Sequence, residues 1–147
     1  MILSIDPGDK RVGVARWSDA GDFHFKGTLS FEEYLDYLDA VLDTFDIKTI
    51  VIEDWSLRQG KGVKMTGSRF LSPQCIGAAN LLSVITGAEL VKQSPQILRI
   101  AAMHFGIKIS TRGHIDDALS AKLHGLYYLE SRGILEGNGA AMLGLDT

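Results

Sequence analysis

Cysteine is almost missing from this sequence: Cys75 is the only one in 147 residues, so no internal disulfide can form. A fold without staples suits a reducing cytoplasm and must be held by its own core. The 46% hydrophobic content is enough for one continuous core without bridges or structural metals, so a single domain over residues 1–147 is expected. Cys75 itself sits among Pro73, Ile76 and Ala78, where a helix begins, and reads as a buried structural thiol. Long apolar runs are lacking as well. Stretches such as Ile50 to Ile52 or Leu81 and Leu82 fall far short of the roughly 20 residues a membrane-spanning helix needs. The first residues, Met1-Ile2-Leu3-Ser4-Ile5-Asp6, carry neither the basic start nor the small-residue cleavage site of a secretory signal. They already alternate like a strand, so the fold is expected to start at residue 1. There is no excess of positive charge either: the net charge of -3 argues against a uniformly basic surface, although Arg58, Lys61, Lys64 and Arg69 gather in one short segment. Internal repeats and low-complexity tracts are absent.

Leu3 and Ile5, then Val12, Val14 and Ala15, then Phe23 and Phe25 predict three short strands in an antiparallel meander, with turns at Pro7-Gly8-Asp9 and Ala20-Gly21-Asp22. Ser30 and Glu33 have capping-box spacing. Leu35, Leu38, Val41, Leu42 and Phe45 follow at helical intervals and predict a helix ending near Phe45. Lys48 to Glu53 is a β-branched run without polar alternation, as a central strand paired in parallel would be. Asp54 to Leu71 loses periodicity and reads as a surface loop. A helix from Pro73 to Gly87, a strand from Glu89 to Gln93 and a helix capped by Ser94 and running to about His104 come next. Gly113 to Ala118 is expected to open a last, amphipathic helix through Leu129, and the tail from Gly133 looks loosely structured. The order is mixed α/β: a five-stranded sheet, antiparallel in its first three strands and parallel in the last two, with helices on both faces.

Two acids end strands in this scheme. Asp6 precedes a Pro-Gly turn, and Glu53 closes the apolar run Ile50-Val51-Ile52, where an unpaired buried carboxylate would cost several kcal/mol. His114 and Asp117, three apart on a helix, would lie about 60 degrees apart and share a face; Asp116, about 100 degrees from Asp117, suits the helix dipole. Singly, each has a plainer role: a turn-forming Asp, a solvated strand end, a helix-start acid. Together they suggest a carboxylate cluster for magnesium or manganese, in which two ions about 4 Å apart activate water and stabilise the leaving oxygen of a phosphodiester. Asp6 would bridge the ions, Glu53 and Asp117 would each hold one or share them, and His114 would be a ligand or a proton-transfer group. A histidine ligand makes binding weaken toward acid and tilts the choice to manganese.

These residues resemble the RuvC family of Holliday-junction resolvases, within the ribonuclease H-like superfamily. Ile5-Asp6-Pro7-Gly8 is similar to its first catalytic strand and turn, Val51-Ile52-Glu53 to the strand with the second acid, and His114-Ile115-Asp116-Asp117-Ala118-Leu119 to its final helix. The resemblance covers nearly the whole chain. It implies a ribonuclease H-like fold, catalytic and metal-binding Asp6, Glu53, His114 and Asp117, two magnesium or manganese ions, and a homodimer cutting four-way DNA symmetrically to leave 5'-phosphate ends. Such an enzyme would be cytoplasmic, encoded by a bacterium or a phage. Lys10-Arg11-Val12-Gly13-Val14-Ala15 is more similar to the YqgF branch, linked to ribosomal RNA processing, which makes a nuclease on structured RNA the alternative. A non-catalytic nucleic-acid-binding module is a third reading; an ASKHA-type ATPase would need further nucleotide motifs, which the sequence lacks.

Arg58, Lys61, Lys64 and Arg69 are candidates to track phosphates beside the site, and Phe70 or Trp55 to stack on an unpaired base. A plain solvated loop and buried aromatic packing are the alternatives. Lys92, Lys108 and Arg112 are further cationic candidates. Gly77, Ala78 and Ala79 would let a partner helix approach closely, as a dimer requires, or let this helix pack on its own sheet.

Overall fold

The alternating and β-branched segments form the sheet expected of them. β1 (Ile2–Asp6), β2 (Val12–Trp17) and β3 (Phe23–Leu29) are an antiparallel meander, β4 (Thr49–Glu53) pairs in parallel with β1, and β5 (Glu89–Gln93) pairs in parallel with β4. The order is β3-β2-β1-β4-β5. The computed structural model describes residues 1–55, 70–109 and 115–135. Because β1, β4 and β5 run the same way, Asp6, Glu53 and Gln93 all finish at one edge of the sheet.

Side chains alternate across the sheet with a period of two, which divides the core into two layers. Leu3, Ile5, Val12, Val14, Ile50 and Ile52 face α1 (Phe31–Thr44) and α2 (Leu71–Thr86). Ile2, Ala15, Trp17 and Val51 face α4 (Asp117–Ser131) instead. α3 (Ile97–His104) lies outside α4, joined to it through Ala101, Ala102 and Leu123. Covered by the sheet on one side and α3 on the other, α4 is buried without a break from Ser120 to Leu126, rather than presenting the polar outer face expected of an amphipathic helix. A helix so placed needs close approach at its crossings. A Cβ at Gly13 would stand 1.9 Å from the Asp117 carbonyl oxygen, and one at Gly125 would stand 2.2 Å from Trp17 Cη2. Gly13 is therefore a packing residue of β2 under α4.

Helix ends follow their local chemistry, with three shifts from expectation. The Ser30 and Glu33 capping box forms as read, and α1 ends at Thr44. α2 begins at Leu71, two residues before Pro73, because a proline in the first turn gives up an N–H that has no intrahelical partner anyway. It ends at Gly87, whose φ of 71° is the left-handed conformation glycine tolerates. α3 begins at Ile97 rather than at Pro95: Ser94 closes a turn instead, its hydroxyl accepting from Gln96 N and its carbonyl from Ile97 N. α4 begins at Asp117, not Gly113, since Asp116 has an extended ψ of 128° and caps the helix. His114 itself lies outside the described residues. Cys75 is fully buried, and burial pushes its thiol up to about 12, as a structural cysteine requires. Among the described residues no helix is long and apolar enough to cross a membrane.

Candidate active site

The period-two register that builds the core also builds the site. Asp6 follows Ile2 and Ser4 on the α4 face of β1, Glu53 follows Val51 on β4, and Gln93 follows Val91 on β5. Facing them, α4 presents Asp117, Ser120 and His124, spaced by three and four and so aligned along one side of the helix. Asp6, Glu53, Asp117 and Ser120 share the wall of a cleft of roughly 1110 Å³. Its mouth is shaped by the turn after β1, where Gly8 N donates to the Asp6 carbonyl at 3.0 Å. Gly8 lies tight under α4, since a Cβ there would be 2.9 Å from Asp117 Oδ1. The Ser72 hydroxyl donates to the Pro7 carbonyl at 2.6 Å and ties the first turn of α2 to the same turn.

Asp6 is only 8% exposed, and its carboxyl is raised from an ordinary 3.8 to about 7. Burial is the main cause, and the neighbouring Glu53 carboxylate adds to it. Ser120 and His124 pull the other way, and Asp117 raises it further. The Ser120 hydroxyl stands near enough to favour the charged form without making a hydrogen bond of ordinary length and angle. Three carboxylates on separate elements thus act on one another, with the most buried of them short of compensating charge.

His124 is fully buried beneath Glu53: its Nε2 lies 2.9 Å from Glu53 Oε2 and its Nδ1 lies 2.6 Å from Gln93 Oε1. Sequence reasoning missed both His124 and Gln93. The signal was present in the spacing of Asp117, Ser120 and His124, three polar residues in line on one face of α4. Asp116 does what its place at the helix start suggests: its carboxylate accepts from Ala118 N at 3.3 Å and from the Thr28 hydroxyl at 2.7 Å, which pins the start of α4 to β3.

Of the expected site residues, Asp6, Glu53 and Asp117 come together. His114 lies outside the described residues, as do Arg58, Lys61, Lys64, Arg69 and Arg112. Phe70 and Trp55 are half-buried against each other, ring centroids 5.9 Å apart and tilted by 60°, with Trp55 on the cleft wall. Lys92 and Lys108 are exposed and not part of that wall; among the described residues the cations that line it are Lys10, Arg11 and Arg99. Arg11 is fixed by donating to the Thr28 carbonyl at 3.1 Å. The oxygen donors of Asp6, Glu53 and Asp117 have the chemistry for a hard cation, and their mutual repulsion is what such an ion relieves. As the side chains lie, no group of three His, Cys, Asp or Glu among the described residues is close enough to hold an ion.

No protein-family model matches the sequence, and no curated protein does. Solved structures do match. RuvC of Thermus thermophilus in complex with a Holliday-junction substrate aligns over 90% of this chain and 96% of its own, with a TM-score of 0.57 at 15% identity. The fowlpox virus resolvase, in complex with Holliday-junction DNA, aligns over 89% of this chain and 99% of its own, with a TM-score of 0.59 at 13% identity. Together with the strand order and the helices on both faces, this likeness gives the chain the ribonuclease H-like fold that those two resolvases share.

Proposed function

We propose that the chain is a divalent-metal-dependent endonuclease that hydrolyses phosphodiester bonds in branched DNA, resolving four-way junctions as a homodimer by paired symmetric nicks. The observation that carries this reading is the buried Asp6 carboxyl, held near 7 at a strand end beside Glu53 and Asp117 on the cleft wall. Such a cluster is costly for stability alone and is understandable as a cation site. The fold shared with two proteins solved on Holliday-junction DNA supports branched DNA as the substrate class.

In this reading Asp6, Glu53 and Asp117 hold magnesium or manganese, two ions in the full site, with His114 as a further ligand or proton-transfer group. When bound, the ions supply Lewis acidity and an activated water. The protein's own part is placement. The β1 and β4 ends fix Asp6 and Glu53, and the capped start of α4 fixes Asp117. Lys10, Arg11 and Arg99 orient phosphates along the cleft wall, Trp55 and Phe70 offer aromatic faces to an unstacked base, and Arg58, Lys61, Lys64 and Arg69 are the further cations that would contact the phosphate backbone. The dimer would use the outer face of α2, where Leu81, Val84 and Ile85 are 60%, 79% and 59% exposed. Gly77 shares that face, whereas Ala79 packs on the chain's own sheet. Two-fold symmetry would then present two sites to a two-fold junction.

Four-way, three-way, flap and linear duplex DNA, together with structured RNA, each incubated with the protein in magnesium or manganese, test the reading. Preferential cutting of the four-way junction at symmetric positions is expected. No cleavage of any substrate would refute it, and cleavage of structured RNA alone would favour the YqgF-like alternative that Lys10 to Ala15 suggests.

A further inference from the structure

We propose that His124, backed by Gln93, is a positioning residue that locks the Glu53 carboxylate with Oε2 turned into the protein and Oε1 left for the cleft; its consequence for catalysis rests on the endonuclease reading above. His124 is fully buried two turns into α4, and both ring nitrogens are engaged. The hydrogen-bond chemistry fixes one direction. If Gln93 presents its carbonyl oxygen, as placed, Nδ1 donates to it. If the amide is turned over, Nδ1 accepts from it and the proton sits on Nε2. A neutral imidazole carries a single N–H and a carboxylate oxygen can only accept, so with the Gln93 amide turned over Nε2–H donates to Glu53 Oε2; with the carbonyl facing the ring, the same bond needs a proton on both ring nitrogens. Glu53 is a lining residue of the cleft, and among the described residues nothing hydrogen-bonds its other oxygen.

Gln93 is 8% exposed and pairs in register with Glu53 across β4 and β5, so the support of the ring comes from the sheet itself. The chain Gln93–His124–Glu53 therefore joins β5, α4 and β4 and leaves Glu53 few orientations. A carboxylate held by one oxygen engages a cation through the other, with its direction set before the ion arrives. This is the arrangement by which a group behind a ligand tunes affinity and geometry.

Two near-isosteric variants separate positioning from space filling. The side-chain amide of Asn reaches about where Nδ1 lies, and that of Gln about where Nε2 lies, so His124→Asn keeps the Gln93 contact while His124→Gln keeps the donor to Glu53. Mn2+ binding to the otherwise metal-free protein is measured first. His124→Asn is expected to weaken it roughly 10- to 100-fold, with His124→Gln staying within about threefold of native. Junction cleavage by the loaded protein should fall in kcat with KM for DNA unchanged, in the same rank order. The second readout needs no metal: in a 15N histidine spectrum the His124 Nε2 should carry a proton, and its resonance should move in Glu53→Ala but not in Asp116→Ala.

Equal Mn2+ affinity in native and His124→Asn protein, equal losses in both variants, or an Nε2 resonance indifferent to Glu53→Ala would each overturn the proposal. If native protein neither binds Mn2+ nor cuts DNA, the endonuclease reading fails, and the nitrogen spectrum alone decides whether His124 holds Glu53.

Discussion

Replacing Asp6 by Asn should stabilise the metal-free protein, and only at the pH where the native carboxyl is under strain. Asp6 has an ordinary value of 3.8 when unfolded and about 7 when folded, so the folded chain holds a proton that the unfolded chain gives up between those values. The stability this proton represents is complete below 3.8, falls as pH rises through the window, and is gone above about 7. At 1.36 kcal/mol for each pH unit, the window from 3.8 to 7 corresponds to about 4 kcal/mol. That figure is an upper bound, because the amide in Asp6→Asn needs polar partners of its own in a site that is 8% exposed. For a chain of 147 residues each kcal/mol moves Tm by roughly 3 °C, so a gap on the order of 5–10 °C is expected above pH 7 relative to that near pH 4.

Thermal unfolding of native protein and the Asp6→Asn variant, in chelator across pH 4 to 8.5, reads this gap directly. Because the other ionisable groups are common to both proteins, the difference isolates Asp6 and its couplings to Glu53 and Asp117. Added Mn2+ should close part of the gap by stabilising the native carboxylate. A Tm difference that stays constant with pH, or one that turns against the variant above pH 7, would refute the description of Asp6 as a buried acid short of compensating charge.

Gly13→Ala places a Cβ where the Asp117 carbonyl oxygen stands 1.9 Å away, so α4 must shift; a loss of at least about 2 kcal/mol by urea denaturation is expected, with junction cleavage falling because Asp117 moves too. A wild-type urea midpoint would contradict that packing. Lys61→Ala with Lys64→Ala should weaken DNA binding and flatten its salt dependence, the slope dropping by about 0.9 for each duplex phosphate that is no longer neutralised; an unchanged slope removes that segment from the DNA path. Sedimentation at micromolar concentration should find a dimer, and Val84→Asp, at a position 79% exposed, should shift it toward monomer. A native monomer that still makes paired cuts would contradict the α2 interface.

Much of this arrangement was legible from local chemistry. The β-branched run ending at Glu53 and the alternating run ending at Asp6 predicted neighbouring parts of one sheet, and parallel pairing of β1 with β4 brings their ends together. Ser30 and Glu33 announced α1 because a capping box is a local device. Start positions were harder where two signals compete: Ser94-Pro95 has the form of a helix start, yet Ser94 spends its hydroxyl and carbonyl on a turn and the helix waits until Ile97. The start of α4 was misplaced for a similar reason. Asp116, not a residue near Gly113, caps it, with help from Thr28 on β3 that no local pattern announces. His124 and Gln93 were missed because their roles depend on strand register, which brings together residues 31 positions apart. A largely apolar helix in which Ser120 and His124 fall in line with Asp117, at spacings of three and four, is the pattern that would have disclosed the polar strip.

The most direct test is single-turnover cleavage of a four-way junction, against a linear duplex of the same arm sequence, by native protein and by the Asp6→Asn and Asp117→Asn variants in Mn2+. Native protein is expected to cut the junction at symmetric sites and leave the duplex intact. Each variant is expected to lose on the order of a thousandfold or more in rate, if these carboxylates supply the electrostatic stabilisation typical of such sites. Native-like cutting by both variants, or no cutting by native protein in either Mg2+ or Mn2+, would contradict an acidic nuclease site built from Asp6, Glu53 and Asp117.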